Sequence, residues 1–261
     1  MPTWLLRDLE GRPSVAFVVD SRGPWCEASA MPDYREIYEN HADRYDELVR
    51  HEDHQGNLAT ALAEVAPGEK LEVVETGAGT GRLSRILAPR ARRLRAFDGS
   101  AAMSAVAQRA LAAHAHVSCG VALHDTLPVE TDAADLALEG WAFGHALGWS
   151  PETWRSDVRR WVTELDRVTR AGGLVVLIET MGTGVETPYE GGHSLEPFDA
   201  LVRETLGFER TVVRTDYAFP TVEQAAETLG FFFGERMGHR IRERGWAIVP
   251  EHTGIYVRRR A

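Results

Sequence analysis

The chain has 261 residues, 44% of them hydrophobic, enough for one sizeable core, and a formal net charge of −10 that argues against a nucleic-acid or anionic-membrane partner. Lys70 is its only lysine, which removes Schiff-base chemistry, and Cys26 and Cys119 are too few for a disulfide framework or a metal cluster. No apolar run is long enough to cross a bilayer and no basic segment with an apolar core opens the chain, so a cytoplasmic location without a signal peptide is expected.

Residues 1–30 read as an extension of the main fold, with a short strand at "SVAFVVD" and loop composition behind it; no chemistry is assigned to them. A single domain is expected over 31–261. It opens with a helical cap over 31–66, in which Ile37, Tyr38, His41, Tyr45, Leu48 and Val49 recur at spacings of three and four, and Gly56-Asn57 divides the cap into two helices. Pro67-Gly68 ends the second helix, and "LEVVET" (71–76) is a buried strand. Alternation follows: helix at "RLSRILAPRA", strand at "RLRAFD", helix at "SAAMSAVAQRALAA", and strand at "HVSCGVA". "DLALEGW" (135–141) is the next strand, "PETWRSDVRRWVTELDRVT" a helix and "GLVVLIET" (173–180) an apolar strand. Such alternation implies βαβ units and a parallel sheet. Near the C-terminus "ERTVVRTDYAF" and "WAIVPEHTGIYVRR" are strands that pair antiparallel at one edge, flanking a long helix near 221–244.

Between the first strand and its helix stands "VVETGAGTGRLS", with glycines at 77, 79 and 81 and an acid at Glu75. Bare backbone there lets a ligand approach closely. A phosphate-binding P-loop fails because no lysine follows Gly81, and a dinucleotide fingerprint counted from Gly77 meets Arg82 at its third small position. A carboxylate at the strand end would repel a pyrophosphate and suits an ammonium or sulfonium ligand. The pattern resembles motif I of the class I S-adenosylmethionine-dependent methyltransferases, in the form of the type 11/25 methyltransferase domains. "DGSAAM" strengthens the likeness, with Asp98, Ser100 and Met103 matching the family's acid-x-S-x-x-M pattern; Asp98 stands where a carboxylate accepts ribose hydroxyls. Read alone, Asp98 is equally a helix-capping or turn residue.

The resemblance covers about residues 34–261 and implies an α/β, Rossmann-like, doubly wound fold. Its sheet has seven strands, mostly parallel with an antiparallel edge strand, and helices on both faces. It implies S-adenosyl-L-methionine as cofactor, held by Glu75, Thr76, Gly77, Ala78, Gly79, Gly81, Asp98, Gly99, Ser100 and Met103. Glu139, Gly140 and Trp141 at the end of the fourth strand border its methionine half, and Tyr45 closes over it. After the third strand the chain departs from the pattern: Val121 stands where an acid is common. Val121 and Ala122 then flank the adenine by apolar contact and backbone N–H groups, with Asp125 as a substitute acid.

For proton removal the candidate general base is His145, in the loop after the fourth strand; the alternative is a histidine satisfying a buried loop. Trp141, Phe143 and Trp149 either line an apolar pocket or pack in the core. His51, Glu52, Asp53 and His54 are metal-like in composition, but consecutive positions on a helix diverge, so no metal is expected. Residues 181–197 are a lid insertion or an ordinary loop, and Phe231–Phe233 cannot all face one core. The expected activity is methyl transfer to an O, N or C atom of a small molecule, by a monomer or homodimer. The alternatives are a non-methylating S-adenosylmethionine-binding protein and an NAD-dependent dehydrogenase.

Overall fold

The computed structural model describes residues 33–189 and 194–261; the 1–30 extension and residues 190–193 lie outside the described residues. Seven strands form the main sheet: β1 Leu71–Thr76, β2 Ala91–Asp98, β3 Val117–Val121, β4 Ala134–Gly140, β5 Thr169–Thr183, β6 Glu209–Arg214 and β7 Glu251–Arg259. Their spatial order is 3-2-1-4-5-7-6. The first five run parallel; β7 is antiparallel to both β5 and β6, so the reversed pairing lies at the edge where it is expected.

Burial on both faces explains the near-continuous apolar runs of these strands. Val74, Ala137, Val175 and Leu177 point to one side, under α6 (Trp154–Val168), where Trp154, Val158, Val162 and Leu165 pack. Their neighbours Val73, Leu136, Leu138, Val176 and Ile178 point to the other, against α3 (Asn57–Val65) and α4 (Arg82–Leu87). Helix α5 (Ala101–Leu111) starts at Ser100, whose side chain accepts the Met103 N–H.

Four local expectations change. The 34–66 segment is three helices: α1 Tyr34–Asn40 and α2 Ala42–Arg50 separate at His41, which leaves helical geometry at φ −130°, and α3 follows. Residues 51–54 are a turn, so the metal-like quartet never lies on a helix. Glu52 pairs with Arg82 at 2.5 Å, His51 stacks on Phe219, and Asp53 accepts the Leu58 N–H. The helix near 221–244 is α7 (Val222–Phe233) and α8 (Glu235–Arg244), divided at Gly234, whose φ of +91° favours a residue without Cβ. The strand from 209 breaks after Arg214, leaving Tyr217–Ala218 to pair with Ile248–Val249 in a separate ribbon.

Of the segment 181–197, Met181–Thr183 complete β5 and Glu196–Ala200 form a short helix. Helices α2, α7 and α8 share a third apolar cluster, Leu48, Val49, Ala225, Leu229 and Ile241, together with the ribbon. An early helix and the 217–249 stretch therefore meet in one cap. The central strand carries most of the packing load: Leu138 is fully buried and touches the second cluster. Leu138→Ala is expected to cost about 2–5 kcal/mol, read as a lower urea midpoint with unchanged slope.

Candidate functional site

The glycine loop leaves β1 at Thr76 and uses positive φ at all three glycines, +64° at Gly77, +53° at Gly79 and +85° at Gly81. A Cβ on Gly77 would stand 2.5 Å from Ala142 Cβ and 3.1 Å from His124 Cε1. Gly81 is structural: it starts α4 and lies against Ala107 and Leu111 of α5. Ala78 N–H donates to the Phe97 carbonyl at 2.9 Å.

Asp98, at the end of β2, holds the loop open. Its Oδ2 accepts the Gly79 N–H and its Oδ1 the Ser100 N–H, each at 2.8 Å. Each oxygen keeps acceptor capacity beyond that bond, and exposed Gly99 follows in the turn. Burial pushes the Asp98 carboxyl above its ordinary value, and the two N–H donors pull it back. Ser100 also ties the cap down, donating through Oγ to the Tyr38 carbonyl at 3.0 Å. Met103 is buried between Ala42 and the Tyr38 and Tyr45 rings, so its contact is with the cap.

Glu75 is buried and accepts the Ser84 hydroxyl at 2.5 Å. Burial raises its carboxyl to about 8, against the pull of Ser84. Thr76 Oγ1 lies 2.9 Å from His124 Nδ1, and burial lowers His124 to about 4. Glu139 ends β4 and accepts the Ala142 and Phe143 N–H groups through Oε2, while its buried Oε1 has no hydrogen-bond partner. Such an orphaned acceptor is what an ammonium group would satisfy. Gly140 is required by packing, since a Cβ there would meet Leu83 Cδ1 at 2.6 Å. Trp141 sits at φ +54°, a strained conformation for a bulky residue, with the Arg82 guanidinium 3.6 Å above its ring.

Tyr45 lies over the loop, its Cε1 3.8 Å from where a Gly79 Cβ would be. His145 is bonded through Nε2 to the Tyr38 hydroxyl at 2.8 Å and stacks on Trp149 at 4.6 Å. Burial lowers it to about 4, so the ring is neutral at pH 7. Phe143 is core, Trp149 is exposed, and the three phenylalanines part company. Phe231 lies under Arg44, Phe232 against Tyr34 and Tyr45, and Phe233 against Tyr217.

Two expectations about the adenine side change. The Ala122 N–H is used inside the fold, donating to the Asp98 carbonyl, and Asp125 is held by Arg160 at 2.9 Å. What faces outward is apolar: Val121 and Leu123 are 58% and 63% exposed. One acid had escaped the sequence reading. Glu179, near the end of β5, is buried and accepts the Gly144 N–H at 2.6 Å. Burial lifts it to about 8, and its charge drives Glu139 higher still, after burial itself. An acid ending an all-apolar strand at the site's end of the sheet was the available signal.

Residues 74–177, from β1 into β5, match the family described as "Methyltransferase domain". The chain carries a methyltransferase domain over these residues. The cleft residues fit S-adenosylmethionine: a loop bare of side chains at positions 77, 79 and 81, a carboxylate with acceptor capacity beyond its two N–H donors, and an unsatisfied buried acceptor. A malonyl-[acyl-carrier protein] O-methyltransferase from Serratia marcescens is 29% identical over 143 residues, 55% of this chain and 50% of that protein. The match thus spans half the length of that relative. In fold, the chain is similar to phosphoethanolamine N-methyltransferase 2 of Haemonchus contortus (TM-score 0.55, 15% identity, 87% of this chain and 58% of that one). It is also similar to the [4+2]-cyclase SpnF (TM-score 0.51, 16% identity, 78% and 79%). No helix among the described residues is long and apolar enough to cross a membrane.

The buried acids of the protein set a pH dependence. Glu75, Glu179 and Glu251 are each raised from 4.5 to about 8. Between those values the native state binds more protons than the unfolded chain, so stability falls as pH rises through the window. Thermal melts are expected to shift down from pH 5.5 to 8.5, and Glu75→Gln to narrow the gap; an unchanged gap would mean Glu75 is ionised in the fold.

Proposed function

We propose that the protein moves a methyl group from S-adenosylmethionine to an oxygen, nitrogen or carbon atom of a small-molecule acceptor. An aromatic cluster beside the glycine loop carries this reading: Tyr34 and Tyr38 of α1 pack on Phe232 of α7, and Phe232 on Tyr45, whose ring lies next to Gly79. When bound, the cofactor supplies an electrophilic methyl on a sulfonium. Asp98 holds the ribose side through its free lone pairs, and the Gly77–Gly79 backbone lies against the ligand. Val121, Ala122, Gly99 and Leu123 flank the base, and Glu139 Oε1 takes the ammonium. Thr76, Ser100, Gly81, Gly140 and Met103 shape the cleft from behind, and Tyr45 and Trp141 close it. Glu75 acts at one remove, through Ser84 and the start of α4.

His145, neutral and inside the cap, accepts the proton that a hydroxyl acceptor must lose. Helices α1 and α2 form the cap with α7 and α8, and Gly184 lies against Met237 and Trp246 of it. The protein acts in the cytoplasm, as a monomer or homodimer. The acceptor of the Serratia relative sits on a carrier protein by its name, and the SpnF likeness is a reminder that this fold hosts a chemistry named cyclisation. A protein that binds the cofactor without consuming it is therefore the second reading.

Calorimetric titration of S-adenosylmethionine, S-adenosylhomocysteine and NAD tests the cofactor assignment. The two sulfur ligands are expected to bind in the micromolar range and NAD not at all, with Asp98→Ala weakening binding about tenfold or more. Binding of NAD alone would overturn the assignment. Transfer of labelled methyl into a metabolite extract separates an enzyme from a mere binder. In that assay His145→Ala is expected to lower turnover while leaving S-adenosylhomocysteine affinity nearly intact. An equal loss of affinity would make His145 structural.

A further inference from the structure

Tyr38 occupies an unusual position. Its ring lies 5.5 Å from Tyr45, 5.7 Å from His145, and 6.4 Å from each of Tyr34, Trp149 and Phe232. The surrounding rings touch one another in turn: Tyr34 with His145 at 5.4 Å, Tyr34 with Phe232 at 5.0 Å, Tyr45 with Phe232 at 5.2 Å, and His145 with Trp149 at 4.6 Å. Tyr38 is thus a plug in a box of five rings contributed by α1, α2, α7 and the loop after β4.

Its attachment is slight. Helix α1 has seven residues and a single buried one, Ile37; the Tyr38 side chain has one hydrogen bond, to His145, and its carbonyl one from Ser100. After the Tyr45 and Tyr34 hydroxyls, the groups acting on the Tyr38 hydroxyl are two carboxyls, Asp98 and Glu179. The nearby Arg82 is committed to Glu52 at 2.5 Å and stacks on Trp141. One face of the box already takes a cation: the guanidinium of exposed Arg35 stands 5.0 Å from the centre of the Trp149 ring. Aromatic faces backed by carboxyls attract positive charge and repel negative charge.

We infer that the acceptor is an amine, whose nitrogen enters among the rings of Tyr45, His145, Trp149 and Phe232 when Tyr38 withdraws with Tyr34 on α1. This deepens the methyltransferase reading and rests on it. The amine arrives as the free base, leaving its proton in solvent. Its lone pair forms the new N–C bond, the C–S pair stays on sulfur, and the positive charge passes from sulfonium to ammonium. That charge grows inside rings built to hold it, which stabilises the transition state more than the neutral ground state. An acidic acceptor such as a malonyl group would meet Asp98 and Glu179 instead.

Choline is a suitable probe, since its quaternary nitrogen mimics the product and cannot be methylated there; 3,3-dimethyl-1-butanol and 3,3-dimethylbutyrate are its neutral and anionic shape analogues. Calorimetry on the full chain is expected to show choline binding about tenfold tighter than the butanol. Tyr38→Ala, by unplugging the box, should tighten choline several-fold and keep the ratio. Adding Trp149→Leu, at a position exposed enough to tolerate it, should abolish the ratio. Equal binding of choline and butanol in Tyr38→Ala, tighter binding of the butyrate, or a ratio that survives Trp149→Leu would overturn the inference. S-adenosylhomocysteine titrated into the same samples reports on the cofactor reading separately, so the two can fail independently.

Discussion

A single carboxylate organises the active end of this protein. Asp98 bridges the glycine loop after β1 and the turn after β2, one oxygen to each backbone N–H. Two parallel strands end side by side there, and the loop between β1 and α4 must turn sharply with no side chain to support it. Left-handed glycines make that path accessible but do not select it, because glycine loses more conformational freedom on ordering than any other residue. The bridge supplies the selection. It also sets the distance between bare backbone and acid. The same turn continues into Ser100, which caps α5 and reaches the Tyr38 carbonyl, so the loop, the sheet and the cap share one anchor.

Negative charge at this end is held in reserve. Glu75, Glu139 and Glu179 are all buried at the strand ends, and each is raised by desolvation. Burial in an apolar sheet favours the neutral carboxyl over the ionised one, and a cation beside these groups would favour the ionised form. A sulfonium, or the ammonium of its methionine half, is such a cation. The site therefore gains complementarity on binding that it does not have to sustain when empty. The strained backbone of Trp141, beside Glu139, belongs to the same arrangement: strain of this kind persists where the surroundings over-determine a residue.

Much of this was legible in the sequence. Strand–helix alternation gave the parallel sheet, because period and composition act locally, and the E-x-G-x-G-x-G run with Asp98 gave the loop, because few residues other than glycine tolerate those φ values. The cap was harder. The breaks at His41 and after Arg50 carry no glycine or proline, and they arise because α2 must turn to meet α7 and α8, a tertiary demand. Gly234 was visible, but a lone glycine in a helical pattern does not announce whether it bends or ends the helix. On the adenine side, Ala122 and Asp125 were plausible by position and are spent on Asp98 and Arg160. Which groups a fold consumes internally cannot be read from spacing.

The aromatic box makes the same point from the other direction. Tyr38 and His145 are 107 residues apart in sequence, and their hydrogen bond exists only because α1 crosses the ends of the strands. Each ring, seen alone, is an ordinary half-buried aromatic with core packing as the simplest account. Together they surround a tyrosine on a helix with one buried residue, and a core does not place its central ring on its least anchored element. Interior packing lowers free energy most when the central group is fixed by everything around it. A plug that can leave has a different purpose, since the contacts it gives up are available to whatever replaces it. The closed arrangement then acts as a filter, because only a ligand that interacts with those rings better than Tyr38 can keep the cap open.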